Sequence, residues 1–271
     1  MKHYTYSVII CLIARFTLNV KANNLYSEKN FHTYNISTQV KTIHVFVALC
    51  DNKYQGIVPV PANIGNGQDA KNNLYWGCAF GISTYFKRST EWQLIESQKA
   101  AAPILERLIF KHKTENCYLV ADAYDGQFIE QCTLDFLNSS CGKKLGTVTS
   151  GNTSLGINGN ANLLAYIGHD GLMDFQLNDD FVNIDNKRRD VMVLACYSKH
   201  FFSKELKSAN VNPLLWTSGL MCPEAYTIHD AIRAYIKNQN ASEIRKSAAL
   251  AYSKYQKCSN KAATNLLLSG W

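Results

Sequence analysis

Two short apolar segments of this chain each end in a side chain that can take part in covalent chemistry. Residues 163–171 (LLAYIGHDG) lead to His169, and residues 191–196 (VMVLAC) lead to Cys196. A thiol beside an imidazole is a nucleophile with its general base, because the imidazole can accept the thiol proton and later return it to a leaving group. The pair therefore predicts acyl transfer through Cys196, with His169 as the base.

Two buried parallel strands would bring this pair together. Continuous apolar runs are typical of strands buried on both faces, and ligand sites in open α/β sheets lie beyond the carboxyl ends of the strands. Enough chain separates His169 from Cys196 for one strand to end, a connection to cross the sheet and the next strand to begin. We therefore expect both side chains at one edge of a sheet, where amides near Gly171 and Cys196 would bind an oxyanion.

The rest of the chain supplies the elements that such a sheet needs. Further strands are predicted at residues 43–49, 118–121 and 214–219, helices at 102–111, 125–142, 201–208 and 241–257, and a loop at 147–162. Thr227 with Asp230, and Asn240 with Glu243, have the spacing of capping boxes that open helices, so residues from about 227 to 271 form a helical C-terminal part. Strands that alternate with helices predict an α/β fold, with a mainly parallel sheet flanked by helices on both faces.

The beginning of the chain resembles a secretory signal. Residues 1–22 carry Lys2 and His3, then an apolar run too short to span a bilayer, then a small residue at Ala22. We expect a signal peptide at 1–22, a polar leader at 23–40 and a single domain at 41–271, in a secreted or periplasmic protein with no stable membrane span after cleavage. The alternative is a partly buried N-terminal helix in a cytosolic protein.

Composition excludes several other classes of protein. With 46% hydrophobic and 18% charged residues, the 271-residue chain can bury a full core and is not disordered throughout. The net charge of +7 is spread along the sequence, and the densest basic cluster, residues 187–189, has only three members. A nucleic-acid footprint would need a basic stripe or a recognised module, so we expect no nucleic-acid partner. The oligomeric state is not indicated.

The cysteines and glycines indicate no cofactor and no metal. Cleavage of the signal would leave eight of the nine cysteines, and an even number in an exported chain suggests disulfides. If Cys196 stays a free thiolate, at least one other cysteine is also unpaired. No cysteine spacing matches a structural zinc site, and Gly65-Asn66-Gly67 lacks the spacing of a dinucleotide or phosphate loop.

The His and Cys segments together resemble the caspase-like superfamily of cysteine peptidases, which includes caspases, legumains, gingipains and their bacterial relatives. The segment Leu-Trp-Thr-Ser-Gly, residues 215–219, also resembles the legumain pattern, in which this strand helps to form the pocket for the residue before the cut. The resemblance covers roughly residues 43–224 and implies a caspase-like three-layer sandwich. It implies Cys196 as nucleophile, His169 as base and Gly171 in the oxyanion site, with Trp216 and Ser218 near the pocket.

One residue departs from the family pattern. The family has Gly directly after His, whereas Asp170 stands there in this chain and displaces Gly171 by one position. Asp170 either orients His169 or faces solvent as an ordinary loop acid. A third alternative is a metal site formed by His169, Asp170 and Asp174, although one imidazole and two carboxylates are an incomplete ligand set.

Substrate preference has only weak signals in the sequence. Asp51, Asp122 and Asp125 lie near the predicted rim and would favour Arg or Lys before the cut, or they serve as helix caps and turn formers. Lys199 and His200, just beyond the nucleophile, favour an acidic or neutral side chain instead.

The sequence thus leads to two hypotheses of different class. The first is an exported cysteine peptidase or transpeptidase that acts on a peptide or protein through a Cys-His dyad and a thioester acyl-enzyme. The second is a catalytically inactive, caspase-like secreted domain that binds peptide or protein, in which Cys196 is an inert buried thiol or a disulfide partner.

Overall fold

The structure is a computed structural model that describes residues 40–271. The expected signal peptide and the leader up to residue 39 lie outside the described residues. The strands are β1 (Lys41–Ala48), β2 (Trp92–Gln98), β3 (Ile104–His112), β4 (Cys117–Tyr124), β5 (Leu145–Ser150), β6 (Thr153–Asn158), β7 (Leu163–Gly168), β8 (Asp190–Leu194), β9 (Asn212–Thr217) and β10 (Leu267–Leu268). The helices are α1 (Ile82–Arg88), α2 (Ile129–Ser140), α3 (Ser198–Ser208), α4 (Ala225–Ile236), α5 (Ala241–Gln256) and α6 (Asn260–Leu266).

Eight of the strands form one mixed sheet in the order β10-β9-β8-β7-β1-β4-β3-β2. The five central strands, from β9 to β4, are parallel, and the edge strands β10, β3 and β2 pair antiparallel. β1 lies in the middle because its side chains are apolar on both faces and almost all of them are buried. The predicted α/β class with a mainly parallel sheet is confirmed.

Helices cover both faces of this sheet. Alternate side chains of β1 serve the two layers: Val45 and Val47 belong to the core under α1, α4 and α5, while Phe46 and Ala48 belong to the core under α2 and α3. The result is a three-layer α/β sandwich. No helix within residues 40–271 is both long and apolar enough to cross a membrane.

The predicted helix at 102–111 is wrong, because these residues form β3. Leu108 and Phe110 lie in the core under α1 and α4, whereas Ile109 packs on the opposite face against β6. Side chains that alternate between faces in this way have the period of a strand. A short turn then pairs β3 antiparallel with β4.

The predicted loop at 147–162 is also wrong, since most of it lies in the hairpin β5-β6. Leu155 and Ile157 of β6 are buried against Tyr118 and Val120 of β4, so the polar composition of the segment conceals a packed face. Strand β2, which pairs with β3, was not predicted.

The predicted helix ends are confirmed at three positions and wrong at one. The Asn240 side chain accepts a hydrogen bond from the Glu243 amide at the start of α5, and Gly142, with φ +86°, follows the end of α2. Asp125 accepts from the Gln127 amide and caps a 3-10 turn just before α2. Thr227 lies inside α4, because this helix begins at Ala225 with Glu224 at its N-cap.

A buried charged network joins β1, β4 and the neighbouring edge strand β3. Arg107 donates from Nε to Oδ1 and from Nη2 to Oδ2 of Asp122, each at 2.6 Å, and His44 Nε2 lies 3.0 Å from Oδ2. The Asn158 amide donates to His44 Nδ1, which places the ring proton on Nε2. Burial raises the pKa of Asp122, but the hydrogen bonds from Arg107 and His44 outweigh it, so the pKa lies below its usual value.

We expect Asp122→Asn to lower the free energy of unfolding by about 3–5 kcal/mol at pH 7, because it breaks a buried ion pair and leaves Arg107 without its anion. A carboxyl group with a lowered pKa stabilises the fold above its unfolded pKa of about 3.9, and that stabilisation disappears as pH falls through the folded pKa. Urea unfolding should therefore show the difference between wild type and variant shrinking below about pH 4. The exposed Glu115→Gln is the control, and a difference that is equal at pH 3 and pH 7 would contradict the prediction.

Candidate active site

The two residues singled out by their chemistry lie at the same rim of the sheet. β7 and β8 pair in parallel up to Ile167 and Leu194, and His169 and Cys196 follow within two residues of those positions. Both side chains line one cavity of about 400 Å³. The predicted placement of His169 and Cys196 at one edge of the sheet agrees with the structure.

Three parts of the chain enclose this cavity. Its lining residues are Gly56, Ile57, Val58, Val60, Leu74 and Tyr75 after β1, Gly168, His169, Met173 and Cys196 at the rim, and Leu220, Met221, Cys222, Pro223 and Glu224 after β9. Most of these side chains are apolar. A cavity of this size and lining is typical of a binding site for a small ligand or an extended side chain.

A glycine lets β7 end beside β1. Gly168 has φ +140°, a conformation that side chains rarely adopt, and a Cβ there would lie 2.4 Å from the carbonyl oxygen of Ala48. The glycine therefore allows the chain to leave the sheet immediately before His169.

His169 is held by an acidic residue in the turn that follows it. His169 Nε2 lies 2.7 Å from Asp174 Oδ2, and the same oxygen accepts the Gly56 amide at 2.8 Å. An ionised carboxylate accepts hydrogen bonds only, so Nε2 carries the proton in a neutral ring and Nδ1 is the basic nitrogen. Asp174 is the orienting residue in this structure, a role that the sequence analysis had offered to Asp170.

Cys196 is half-buried against the loop that follows β9. The Met221 amide donates to Sγ at 3.4 Å, and Sγ lies 3.5 Å from the Met221 carbonyl oxygen. Burial raises the pKa of the Cys196 thiol above its ordinary value, the Met221 amide lowers it and the negative charge of Asp170 raises it, with a net upward shift. The side chain is therefore a neutral thiol at neutral pH. All eight cysteines within residues 40–271 are free.

Asp170 is neither solvated nor bonded to the His169 ring. It is fully buried, Oδ1 accepts the Leu172 amide at 3.0 Å, and Oδ2 has no hydrogen-bond partner among the described residues. Burial raises its pKa to about 8; the Leu172 amide lowers it and the Asp174 charge raises it. Asp170 therefore neither orients the His169 ring nor faces solvent, so both expected roles are wrong. No group of side chains within residues 40–271 is arranged to hold a metal ion.

Gly171 lies behind the rim and does not line the cavity. A Cβ at this position would meet the Phe175 ring and the Thr133 hydroxyl, and its backbone hydrogen-bonds to the Tyr166 hydroxyl. Within residues 40–271, the backbone N–H groups of Asp170 and Cys196 donate no hydrogen bond. Of these two residues only Cys196 lines the cavity, so its amide is the better candidate for an oxyanion site.

The other predicted pocket residues lie outside the cavity lining. Asp51 accepts the Lys53, Tyr54 and Gly67 amides and so holds the loop after β1. Asp122 belongs to the network with Arg107 and His44. 

On β9 and just beyond it, Trp216 is buried beside Trp271, and the Ser218 hydroxyl donates to the carbonyl oxygens of Asn265 and Leu266. Asp51, Asp122, Trp216 and Ser218 thus all make contacts elsewhere in the fold and do not line the cavity.

The sequence-based predictions gave one residue of the site a different role and missed another. Asp174 had been considered only as a metal ligand, and Glu224 had not been considered at all. The long loop after β1 is a recognisable signal, since such loops often carry function, and it does supply six lining residues. Nothing in the local sequence marks Glu224.

Comparisons of the chain with protein-family models, with curated proteins and with solved structures find no match. Function has to be inferred from the residues of the site.

We expect Asp170→Asn to stabilise the fold at pH 7–8 and to change it little near pH 4. The folded state keeps a proton on Asp170 up to about pH 8, whereas the unfolded chain loses it near pH 3.9. The free energy of unfolding of the wild type should therefore fall as pH rises through this window, by up to about 1.4 kcal/mol per pH unit. Thermal unfolding from pH 4 to 9 measures the effect.

Asp179→Asn is the matched control, because that carboxyl group is exposed and its removal should leave the pH dependence unchanged. Parallel stability curves for wild type and Asp170→Asn across the whole range would show that Asp170 is ionised in the fold.

Proposed function

We propose that this chain is an exported cysteine peptidase, or a transpeptidase with the same acyl-enzyme, of the caspase-like type. One observation carries the proposal: the neighbouring parallel strands β7 and β8 deliver His169 and Cys196 into a single cavity. The resemblance of the His and Cys segments to that superfamily agrees with this placement. Export rests on the signal-like residues 1–22.

The proposed reaction follows from the protonation states in the site. Because the thiol is neutral, attack and deprotonation occur together: Sγ forms a bond to the peptide carbonyl carbon while its proton passes to His169 Nδ1. The carbonyl oxygen becomes an oxyanion, which the Cys196 amide would bind. His169 then protonates the leaving amine, and a thioester on Cys196 remains.

The second half of the reaction regenerates the thiol. His169 takes a proton from water, whose oxygen attacks the thioester carbonyl, and returns it to Sγ as the carbon–sulfur bond breaks. An amine in place of water would give transpeptidation. Asp174 keeps the ring in one orientation throughout, because it accepts a hydrogen bond from the Nε2–H group.

A second candidate function, peptide binding without cleavage, is favoured by the raised pKa of Cys196 and the apolar lining of the cavity. The two candidates differ in turnover and in acyl-enzyme formation, and not in affinity for peptide.

The direct test is turnover of a quenched peptide library combined with intact-mass analysis after acid quench. We expect cleavage by the wild type, an acyl adduct on Cys196, and no turnover by Cys196→Ala with folding retained. Cys258→Ala is the matched control, because this partly exposed thiol lies outside the cavity lining. Equal turnover by Cys196→Ala, or a library that is bound and never cleaved, would refute the peptidase proposal.

Asp174→Asn should lower kcat/KM by about 10²–10⁴-fold, because an amide in place of the carboxylate favours the wrong ring tautomer of His169. Gly56→Ala should act through the same contact, since a Cβ there would lie 2.4 Å from Asp174 Oδ1. A positioning role predicts that Gly56→Ala costs little further activity in the Asp174→Asn background. Steady-state kinetics of the two single variants and the double variant measure this coupling.

Gly219→Ala is the control for the glycine substitution, because its Cβ would meet only a Leu266 methyl group at 3.5 Å. Full additivity of Gly56→Ala and Asp174→Asn would show that Gly56 acts on something other than Asp174.

A further inference from the structure

We propose that the cavity beside Cys196 is a subsite for one positively charged side chain, and that Glu224 is the residue that selects it. A primary amine, as in lysine, is the group that fits best. The carboxylates first considered for this role, Asp51 and Asp122, are bonded elsewhere, as described above.

The walls of the cavity suit the stem of a long basic side chain. Ile57, Val58, Val60 and Leu74 form one apolar side. Lys and Arg side chains bury their methylene groups along such surfaces while the charged end reaches a polar group. Among the lining residues within 40–271, Glu224 is the only carboxylate, and none is Lys or Arg.

The charge of Glu224 has no partner of opposite sign in the part of the chain that the structure describes. Its Oε2 accepts hydrogen bonds from the Tyr226 hydroxyl at 2.8 Å and from Gln256 Nε2 at 3.2 Å, and both donors are neutral. Among the ion pairs of residues 40–271, none includes Glu224.

The neighbouring thiols respond to this uncompensated charge. The pKa of Cys222 and that of Cys78 are raised first by burial and then by the Glu224 carboxylate. Glu224 is itself half-buried, so its charge is incompletely solvated, and a cation brought into the cavity would offset that cost.

The hydrogen bonds already made by Glu224 discriminate between the two basic side chains. Oε2 accepts two donors, which leaves Oε1 as the available oxygen. A guanidinium group binds a carboxylate best through two parallel hydrogen bonds to both oxygens, whereas an ammonium group acts as a point charge and needs only one. Lysine should therefore bind at least as well as arginine.

The cavity also contains the thiol, which relates the cation subsite to cleavage. Because Cys196 and Glu224 line the same space, a side chain in it belongs to a residue next to the attacked carbonyl. The statement that lysine precedes the cut rests on the proposed function. Binding of the cation in the cavity does not depend on the proposed function.

The first experiment measures binding without turnover. The Cys196→Ala protein is titrated by calorimetry with the peptides acetyl-Ala-Ala-Lys-amide, its arginine analogue and its neutral norleucine analogue. We expect the lysine peptide to bind at least ten-fold more tightly than the norleucine peptide, and added salt to reduce this ratio. Glu224→Gln in the same background should abolish the preference while norleucine binding persists.

Glu115→Gln is the matched control, because it removes one carboxylate charge at the opposite edge of the sheet and should keep the lysine preference. Persistent norleucine binding and an unchanged melting temperature show that Glu224→Gln is folded. Equal affinity for the lysine and norleucine peptides, no binding of either, or a preference that survives Glu224→Gln would overturn the proposal.

The second experiment separates this inference from the peptidase proposal. The wild type is assayed with matched substrates that carry lysine or norleucine before the cut, and we expect kcat/KM to favour lysine at least ten-fold, with the ratio lost in Glu224→Gln. Cleavage without preference for lysine overturns the subsite and leaves the peptidase. Lysine-selective binding without any cleavage supports the subsite and overturns the peptidase.

Discussion

The parallel pairing of β7 with β8 determines where the two candidate reactive side chains, His169 and Cys196, lie. Every residue of β7 is buried, and the same holds for β8 after its first residue, so both strands contribute side chains to the cores above and below the sheet. A shift of one residue in their register would turn each side chain to the wrong face. Core packing therefore fixes the rim, and the positions of His169 and Cys196 follow from it.

The central strands were predictable because their signal is local. Buried parallel strands are recognisable from continuous apolar residues, and β1, β7, β8 and β9 all have them. β3 and the hairpin β5-β6 were mispredicted because the faces they bury pack against each other across a long separation in sequence, as Ile109 of β3 does against Leu155 and Ile157 of β6. The sequence of β3 mixes charged and apolar residues, which are separated onto different faces only when β3 pairs with β4. β5 and β6 are rich in turn-forming residues, although part of β6 is buried.

The candidate site was predictable in its reactive pair and not in its supporting residues. The ends of two apolar runs identify His169 and Cys196, since strand ends share a rim. Which carboxylate reaches the imidazole depends on the 3-10 turn after β7, which turns Asp170 inward and brings Asp174 back to the ring. Glu224 joins the site only because the loop after β9 folds over the rim, a contact that no local pattern encodes.

Asp170 shows how this rim differs from a site with a preformed thiolate. A fully buried carboxyl group, with one oxygen that has no partner within residues 40–271, is a local conflict of the kind that accumulates at functional sites. Below about pH 8 the group is neutral and its charge does not act on Cys196. Above that pH its ionisation raises the pKa of Cys196 and opposes the thiolate that alkaline conditions would otherwise produce. In the proposed mechanism, the thiol would therefore stay neutral and would give up its proton to His169 only as the substrate is attacked.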